Sequence, residues 1–233
     1  MNLEVKDLTV SFGNRKVLDG ISAEFSEGKI TCLIGPNGCG KTTLIKALVD
    51  KYAKSREISY VAQDVYGQLA LSVYDTVALG RYDRSRFFSG MTSEDREKID
   101  RALELMELNE FKDRIFDTLS GGEKQRCMVA RALAQATPWM ILDEPSSNLD
   151  VRHNLHIMKT FKELSISEGR SFVIVLHDVN TAAEFADRFL LMKQGKTVRS
   201  CSEMDKEILS DVFDAEFSEG ITSSGRRVFF AEG

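Results

Sequence analysis

Residues 35–43 read GPNGCGKTT, with Gly35, Gly40, Lys41 and Thr42 in the register G-x-x-x-x-G-K-[ST]. Glycines at these positions let backbone N–H groups converge on phosphate oxygens without an intervening side chain. A helix starting at Lys41 would add the positive end of its dipole to the same anion. Lys41 is placed to reach the terminal phosphates, and the Thr42 hydroxyl to hold Mg²⁺. The candidate nucleotide contacts are therefore Gly35, Pro36, Asn37, Gly38, Cys39, Gly40, Lys41, Thr42 and Thr43. A chance Gly-rich turn would lack the context found here. KITCLI (29–34) precedes the loop with strand character. TTLIKALV follows it with Leu44, Ile45 and Leu48 at helical spacing.

Two further stretches carry chemistry. WMILDEP ends an apolar run on Asp143 and Glu144. In open α/β sheets ligands lie beyond the carboxyl ends of the strands, as the phosphate loop does. Asp143 is then expected in the Mg²⁺ shell, and Glu144 beside an attacking water. An acidic surface loop is the plain alternative. In LSGGEKQRCMVARALA (119–134), Ser120 and Glu123 form a capping box that opens a helix. Gly121 and Gly122 leave its first N–H groups uncovered, which makes a second anion-binding helix end. A simple N-cap would not need two glycines there, since each costs up to about 1 kcal/mol relative to Ala. One nucleotide per chain cannot easily use both ends. Two chains facing head to tail can.

The elements that must position these residues follow from periodicity. Leu3 and Val5, then Leu8, Val10 and Phe12, alternate along two stretches. Gly13-Asn14 signals a turn, and Ile21, Ala23 and Phe25 alternate again. EISYVAQD (57–64) is a further strand candidate. The segment 72–117 changes character and reads as a mainly helical insertion. Thr92 and Asp95 fit a capping box, ahead of Ile99, Leu103 and Met106 on one helical face. Strand patterns resume at WMILDE (139–144), FVIVLHD (172–178) and FLLM (189–192). Leu155, Met158, Phe161 and Leu164 share a helix face between the first two. Apolar strands alternating with helices predict a parallel sheet covered on both sides. The last forty residues look less regular, and no internal repeat is visible.

Composition narrows the classes. A chain of 233 residues, 42% hydrophobic and 29% charged, suits one globular domain with an insertion. No apolar run reaches the roughly 18 residues that span a bilayer. The opening MNLEVKDLTV alternates polar and apolar residues, unlike a signal peptide. A net charge of −5 argues against nucleic acid as the main partner. Cys32, Cys39, Cys127 and Cys201 show no metal-type pairing and read as reduced cytosolic thiols.

Taken in order, these motifs resemble those of an ATP-binding cassette ATPase, the nucleotide-binding subunit of ABC transporters. GPNGCGKTT resembles its Walker A, Gln63 in YVAQD its Q-loop glutamine, LSGGE its signature and WMILDEP its Walker B. SNLD (147–150) resembles its D-loop, and His177 in VLHDVN its switch histidine. The resemblance spans nearly the whole chain, and LSGGE within the ordered set is its most specific part. It implies an α/β fold, a P-loop NTPase core of ABC type with an N-terminal antiparallel β subdomain and an inserted helical subdomain at about 72–117. The whole of 1–233 would form one domain.

The resemblance also assigns roles. Glu144, His177 and Gln63 would be catalytic, and Thr42, Gln63 and Asp143 would hold the metal. Phe12 would stack on adenine where the family usually has Tyr. Ser120, Gly121 and Gly122 would contact the nucleotide of a second subunit. The implied ligands are ATP and Mg²⁺. The implied partners are a second copy of the chain, a transmembrane permease and, indirectly, an extracytoplasmic substrate-binding protein. The implied location is the cytoplasmic face of the cell membrane.

TVALGRYDRSRF (76–87), VLHDVNTAAEFADRFLLMKQGK (175–196) and EILSDVFDAEF (207–217) resemble the ATPases of iron-siderophore, haem and cobalamin importers. Two departures stand out. Cys39 replaces the usual serine, and the Lys41–Gln63 interval is shorter than in most relatives, so the antiparallel subdomain is expected to be trimmed. Transport of another cargo such as a metal ion, export rather than import, and a non-transport accessory role in iron–sulfur cluster assembly are the alternatives. Chromosome or translation ABC proteins would require a long coiled-coil insertion, a zinc motif or two cassettes in one chain.

Overall fold

The computed structural model describes residues 2–63, 70–82, 90–146 and 149–232. Strands β1 (Leu3–Phe12) and β2 (Arg15–Phe25) pair antiparallel across the Gly13-Asn14 turn. The sequence suggested two stretches within residues 3–12, because the apolar phase shifts between Val5 and Leu8. The structure makes them one strand. Val5 faces Ala23 and Leu8 faces Ile21, so β1 carries one extra residue, with Asp7 at φ 47. A bulge resets the phase without ending the strand.

Next come β3 (Ile30–Ile34), α1 (Lys41–Tyr52) and β4 (Ile58–Val61). The β4 strand stops short of the expected 57–64. The insertion region holds α2 (Val73–Ala78) and α3 (Ser93–Leu105), with 3₁₀ turns at Leu79–Arg81, Asn109–Phe111 and Phe116–Thr118. Then follow α4 (Gly121–Ala134), β5 (Trp139–Asp143), α5 (Val151–Glu168), β6 (Ser171–Val175), α6 (Val179–Phe185) and β7 (Arg188–Lys193). The chain ends with β8 (Lys196–Cys201), α7 (Lys206–Phe213) and the β9 (Phe217–Ile221)–β10 (Arg227–Ala231) hairpin. The last forty residues are thus more regular than their sequence suggests. Their strands are short, with one or two apolar residues facing inward, so alternation is weak.

Six strands form the main sheet in the order β4-β5-β6-β3-β7-β8. Five are parallel, and β8 closes the edge antiparallel to β7, a departure from the wholly parallel sheet that the alternation predicted. A tight turn at Gln194-Gly195 leaves no room for a crossover helix, so β8 must run back. Every residue of β3, β5 and β6 is buried, which explains their unbroken apolar sequences. Met140, Leu142, Phe172 and Ile174 face the α3–α6 side, and Phe172 stacks on Phe161 of α5 at 4.8 Å. Trp139, Ile141, Val173 and Val175 face α1 and the β1–β2 ribbon. No helix among the described residues is long and apolar enough to cross a membrane.

Three helices of this region are fastened by one buried ion pair. Thr92 and Asp95 form the capping box of α3. The Arg81 guanidinium donates to Asp95 at 2.8 Å and to the carbonyls of Ala134 and Gln135 at the end of α4. Hydrogen bonds from the Thr92 hydroxyl and backbone, then Arg81, hold the Asp95 carboxyl down at about 2, against burial that raises it. A carboxyl depressed from 3.8 to about 2 contributes about 2 kcal/mol of stability at neutral pH. That contribution is complete above pH 4 and fades as pH falls toward 2. Asp95→Ala should therefore destabilise the protein by about 2 kcal/mol at pH 7, because it removes both the α3 capping box and the carboxylate that pairs with the partly buried Arg81. In denaturant titrations the gap between variant and wild type should narrow between pH 4 and 2. An unchanging gap would mean that Asp95 acts only through packing.

Candidate nucleotide-binding site

The phosphate loop runs from the end of β3 to α1 and is pressed against the protein on its inner side. A Cβ on Gly35 would lie 2.1 Å from the Met192 carbonyl oxygen. Gly40 caps α1 at φ 106, where a Cβ would lie 2.6 Å from the Leu18 side chain. The Gly195 N–H donates to the Cys39 carbonyl at 3.0 Å, which fixes the β7–β8 turn to the loop. Cys39 is buried, and that burial pushes its thiol up against the opposing pull of Lys41. It therefore stays protonated and fills space as a serine would.

The outer face of the loop opens on a cavity of about 280 Å³. Asn37, Gly38, Gly40, Lys41, Thr42 and Thr43 line it, with Phe12, Arg15, Val17 and Glu144 opposite. Lys41 donates to the carbonyls of Gly35 (2.6 Å) and Pro36 (3.1 Å). Two of its three ammonium hydrogens are thus used, and one remains for an anion. Phe12 is 65% exposed, so a ring face is free to stack.

Across the cavity, three neighbouring strands bring three residues into one row. Gln63 follows β4, Glu144 follows β5 and His177 follows β6. Glu144 Oε2 accepts from Gln63 Nε2 at 2.7 Å, and Glu144 Oε1 meets His177 Nε2 at 2.5 Å. Glu144 adopts φ 53, a conformation costing a non-glycine residue about 1–2 kcal/mol. This turn swings its carboxylate off the strand line toward both neighbours.

Asp143 is buried at the end of β5. Its Oδ1 accepts from the Thr42 hydroxyl at 3.2 Å, while its buried Oδ2 has no partner. Burial pushes its carboxyl above the ordinary value. The Thr42 hydrogen bond opposes this, and Glu144 adds to it. An uncompensated buried carboxylate oxygen beside a hydroxyl fits a hard divalent cation, which takes oxygen ligands. Gln63 spends its amide nitrogen on Glu144, so its carbonyl oxygen is the atom left for a metal. No group of three or more His, Cys, Asp or Glu gathers as a metal site among the described residues.

Ser120, Gly121 and Gly122 do not line this cavity. Ser120 and Glu123 form the expected capping box, and Ser120 and Gly121 are exposed. Ser147, Asn148, Asp64 and residues 83–87 of the quoted motifs lie outside the described residues, while Asp150 caps α5 on His153 N–H. Arg15 and Val17 were not singled out by the motifs. The signal for Arg15 was the Gly13-Asn14 turn, which pairs Arg15 directly with Phe12.

Comparison with known proteins adds the lineage. A family profile described as ABC transporter matches residues 18–147. The iron(3+)-hydroxamate import ATP-binding protein FhuC of Bacillus subtilis is 32% identical, over 92% of this chain and 89% of its own. The petrobactin import ATP-binding protein YclP of the same organism is 33% identical, over 91% of this chain and 92% of its own. Among solved structures, a dimeric bacterial ABC transporter cassette superposes with a TM-score of 0.76 at 26% identity, covering 88% of this chain and 100% of that one.

The wedged loop makes its own prediction. Gly35→Ala forces a methyl group into a backbone carbonyl that cannot rotate away. It should cost about 2 kcal/mol or more in chemical denaturation and displace the loop enough to weaken ATP binding. Wild-type stability in this variant would show that the loop has slack on its inner face.

Proposed function

Because the chain belongs to the ABC transporter family of ATP-binding proteins, we propose that it is the ATP-hydrolysing subunit of an importer for an iron chelate of siderophore, haem or cobalamin type. The observation that carries the cargo class is the match, over nine-tenths of the chain, to ATP-binding proteins of iron-hydroxamate and petrobactin import.

The phosphate loop and Lys41 bind the triphosphate, and the Phe12 face stacks on the base. Thr42 and Asp143, joined by the Gln63 carbonyl oxygen, are the residues that would hold Mg²⁺. When bound, the ion would supply positive charge that offsets the charge developing on the phosphates. Glu144 is the base. A water oxygen attacks the γ-phosphorus, the bond to the bridging oxygen breaks with its electron pair leaving on ADP, and the water proton passes to the Glu144 carboxylate. In the conformation described, both Glu144 oxygens are engaged, by Gln63 and by His177. One of these contacts has to yield before a water can take its place. His177, already at that carboxylate, then faces the γ-phosphate and orients the attack.

The chain works as a dimer, in which the Ser120–Gly122 helix end of one copy closes on the nucleotide of the other. That helix end is exposed and does not line its own chain's cavity, and a related cassette is dimeric. The membrane partner is a permease served by an extracytoplasmic binding protein, which would hold the chain at the cytoplasmic face.

Glu144→Gln should retain ATP binding, lose hydrolysis by about 10²- to 10⁴-fold, and accumulate an ATP-bound dimer in size-exclusion chromatography. Wild-type turnover in that variant would remove Glu144 as the base. For cargo, the subunit is reconstituted in vesicles with its permease and binding protein. ATPase rate and uptake are then measured with an iron siderophore, haem, cobalamin and a free metal ion. Stimulation by one of the first three is expected. A response to the free metal alone would overturn the iron-chelate reading and leave the ATPase standing.

A further inference from the structure

The β9–β10 hairpin stands apart from the main sheet and is fastened on two sides. On one side, the Phe217 N–H of β9 donates to the Ser210 hydroxyl of α7 at 3.0 Å, and the Phe213 and Phe217 rings lie 5.8 Å apart. Helix α7 is itself anchored in the core by Leu209 and Val212. On the other side, β10 meets α6 through a two-pronged contact. The Asn180 amide nitrogen donates to the Phe229 carbonyl at 3.0 Å, and the Asn180 amide oxygen accepts from the Phe229 N–H at 2.7 Å. One side chain thus answers both backbone groups of a strand residue, as a neighbouring strand would. The Phe229 ring is buried, and Arg226 adds an ion pair to Glu184 of α6.

Helix α6 begins immediately beyond His177. Asp178 caps it, accepting from the N–H groups of Asn180 and Thr181, each at 3.1 Å. With seven residues, α6 is too short to hold its own direction and takes it from what it is fastened to. The His177 side chain is 47% exposed, so packing does not fix it. It meets Glu144 at 2.5 Å from a backbone that runs from the end of β6 into this capped turn. The clamp between Asn180 and Phe229 lies within that first turn, three residues past His177.

We propose that the C-terminal hairpin positions His177 against Glu144, with Asn180 as the positioning residue that links them. This rests on the reading of Glu144 and His177 as the hydrolytic pair. The hairpin is anchored independently through α7, so it acts as a fixed support for α6. The end of the chain thereby governs the hydrolytic step without touching the nucleotide.

The first readout needs no turnover. The chain has three histidines, and His153 and His156 on α5 serve as internal controls. Ring resonances are recorded on the full chain labelled at histidine, with Glu144→Ala defining the signal of a His177 that has lost its partner. Asn180→Ala should move the His177 signal toward that position and leave the other two in place. Asn180→Asp keeps the acceptor but not the donor, and should fall between. In hydrolysis, Asn180→Ala should lower kcat by about tenfold with KM and Mg-ATP affinity unchanged. In a His177→Ala background the same change should cost nothing further, because the residue it acts through is gone. An unmoved His177 signal, or a loss of the same size with and without His177, would overturn the proposal and leave Asn180 a structural tether. Full turnover in His177→Ala would instead remove the hydrolytic reading of that residue, while the ring signals still decide whether Asn180 positions it.

Discussion

The nucleotide cavity depends on a backbone that is pressed from behind. Residues 35–40 lie against the Met192 carbonyl and the Leu18 side chain, with no room for a β-carbon at Gly35 or Gly40. Two hydrogen bonds tighten the same contact: Gly195 N–H to the Cys39 carbonyl, and Asp19 N–H to the Gly195 carbonyl. Lys41 completes it by folding over the carbonyls of Gly35 and Pro36. With its inner face fixed by β2, β7 and the turn after β7, the loop has one free face. A phosphate chain can then be met by amides already in position, without the entropy cost of ordering a mobile loop.

That wedge also explains why the sheet must have this order. β3 lies between β6 and β7, so the loop leaving β3 has strand ends on either side. On the β7 side it finds the carbonyl it packs against. On the other side β6, β5 and β4 follow in turn, each presenting one polar residue just past its end. His177, Glu144 and Gln63 therefore form a line at roughly the 4.8 Å strand spacing. Side chains can close that gap, and they do so on both oxygens of Glu144. A displacement of Gln63 must be felt at the carboxylate, because it removes one of two hydrogen bonds holding that group. Coupling between the segment after β4 and the proposed base thus needs no long pathway.

Much of this was legible in the sequence, and the remainder fails for identifiable reasons. The loop motif, the helix starts at Thr92 and Ser120, and the buried strands at 30–34, 139–143 and 171–175 all rest on local spacing. Local spacing survives folding. The bulge at Asp7 was not legible, because an extra residue in one strand looks like a break between two. The antiparallel β8 and the β9–β10 hairpin were missed because each has little inward apolar area. The resemblance grouped Gln63, Glu144 and His177 at one site, but their order in a row needs the strand order, which no local pattern encodes. Arg170, next to the helix-ending Gly169, reads as surface in the sequence, yet it is only 8% exposed.

Helix α4 connects the Ser120 end to the α2–α3 segment. At its N-terminus the Ser120 oxygen accepts from the Glu123 N–H, and the Glu123 carboxylate accepts from the Ser120 N–H. This cap leaves the first-turn amides of Gly121 and Gly122 able to donate outward. At mid-helix Arg126 donates to the carbonyls of Met106 and Glu107, just past α3. At the C-terminus the last carbonyls accept from Arg81, itself paired with Asp95 of α3. The helix is therefore hydrogen-bonded to the α2–α3 segment at two levels along its length. Motion of the Ser120 end toward a phosphate on a second chain cannot be absorbed by sliding of α4 alone. It must carry α2 and α3 with it.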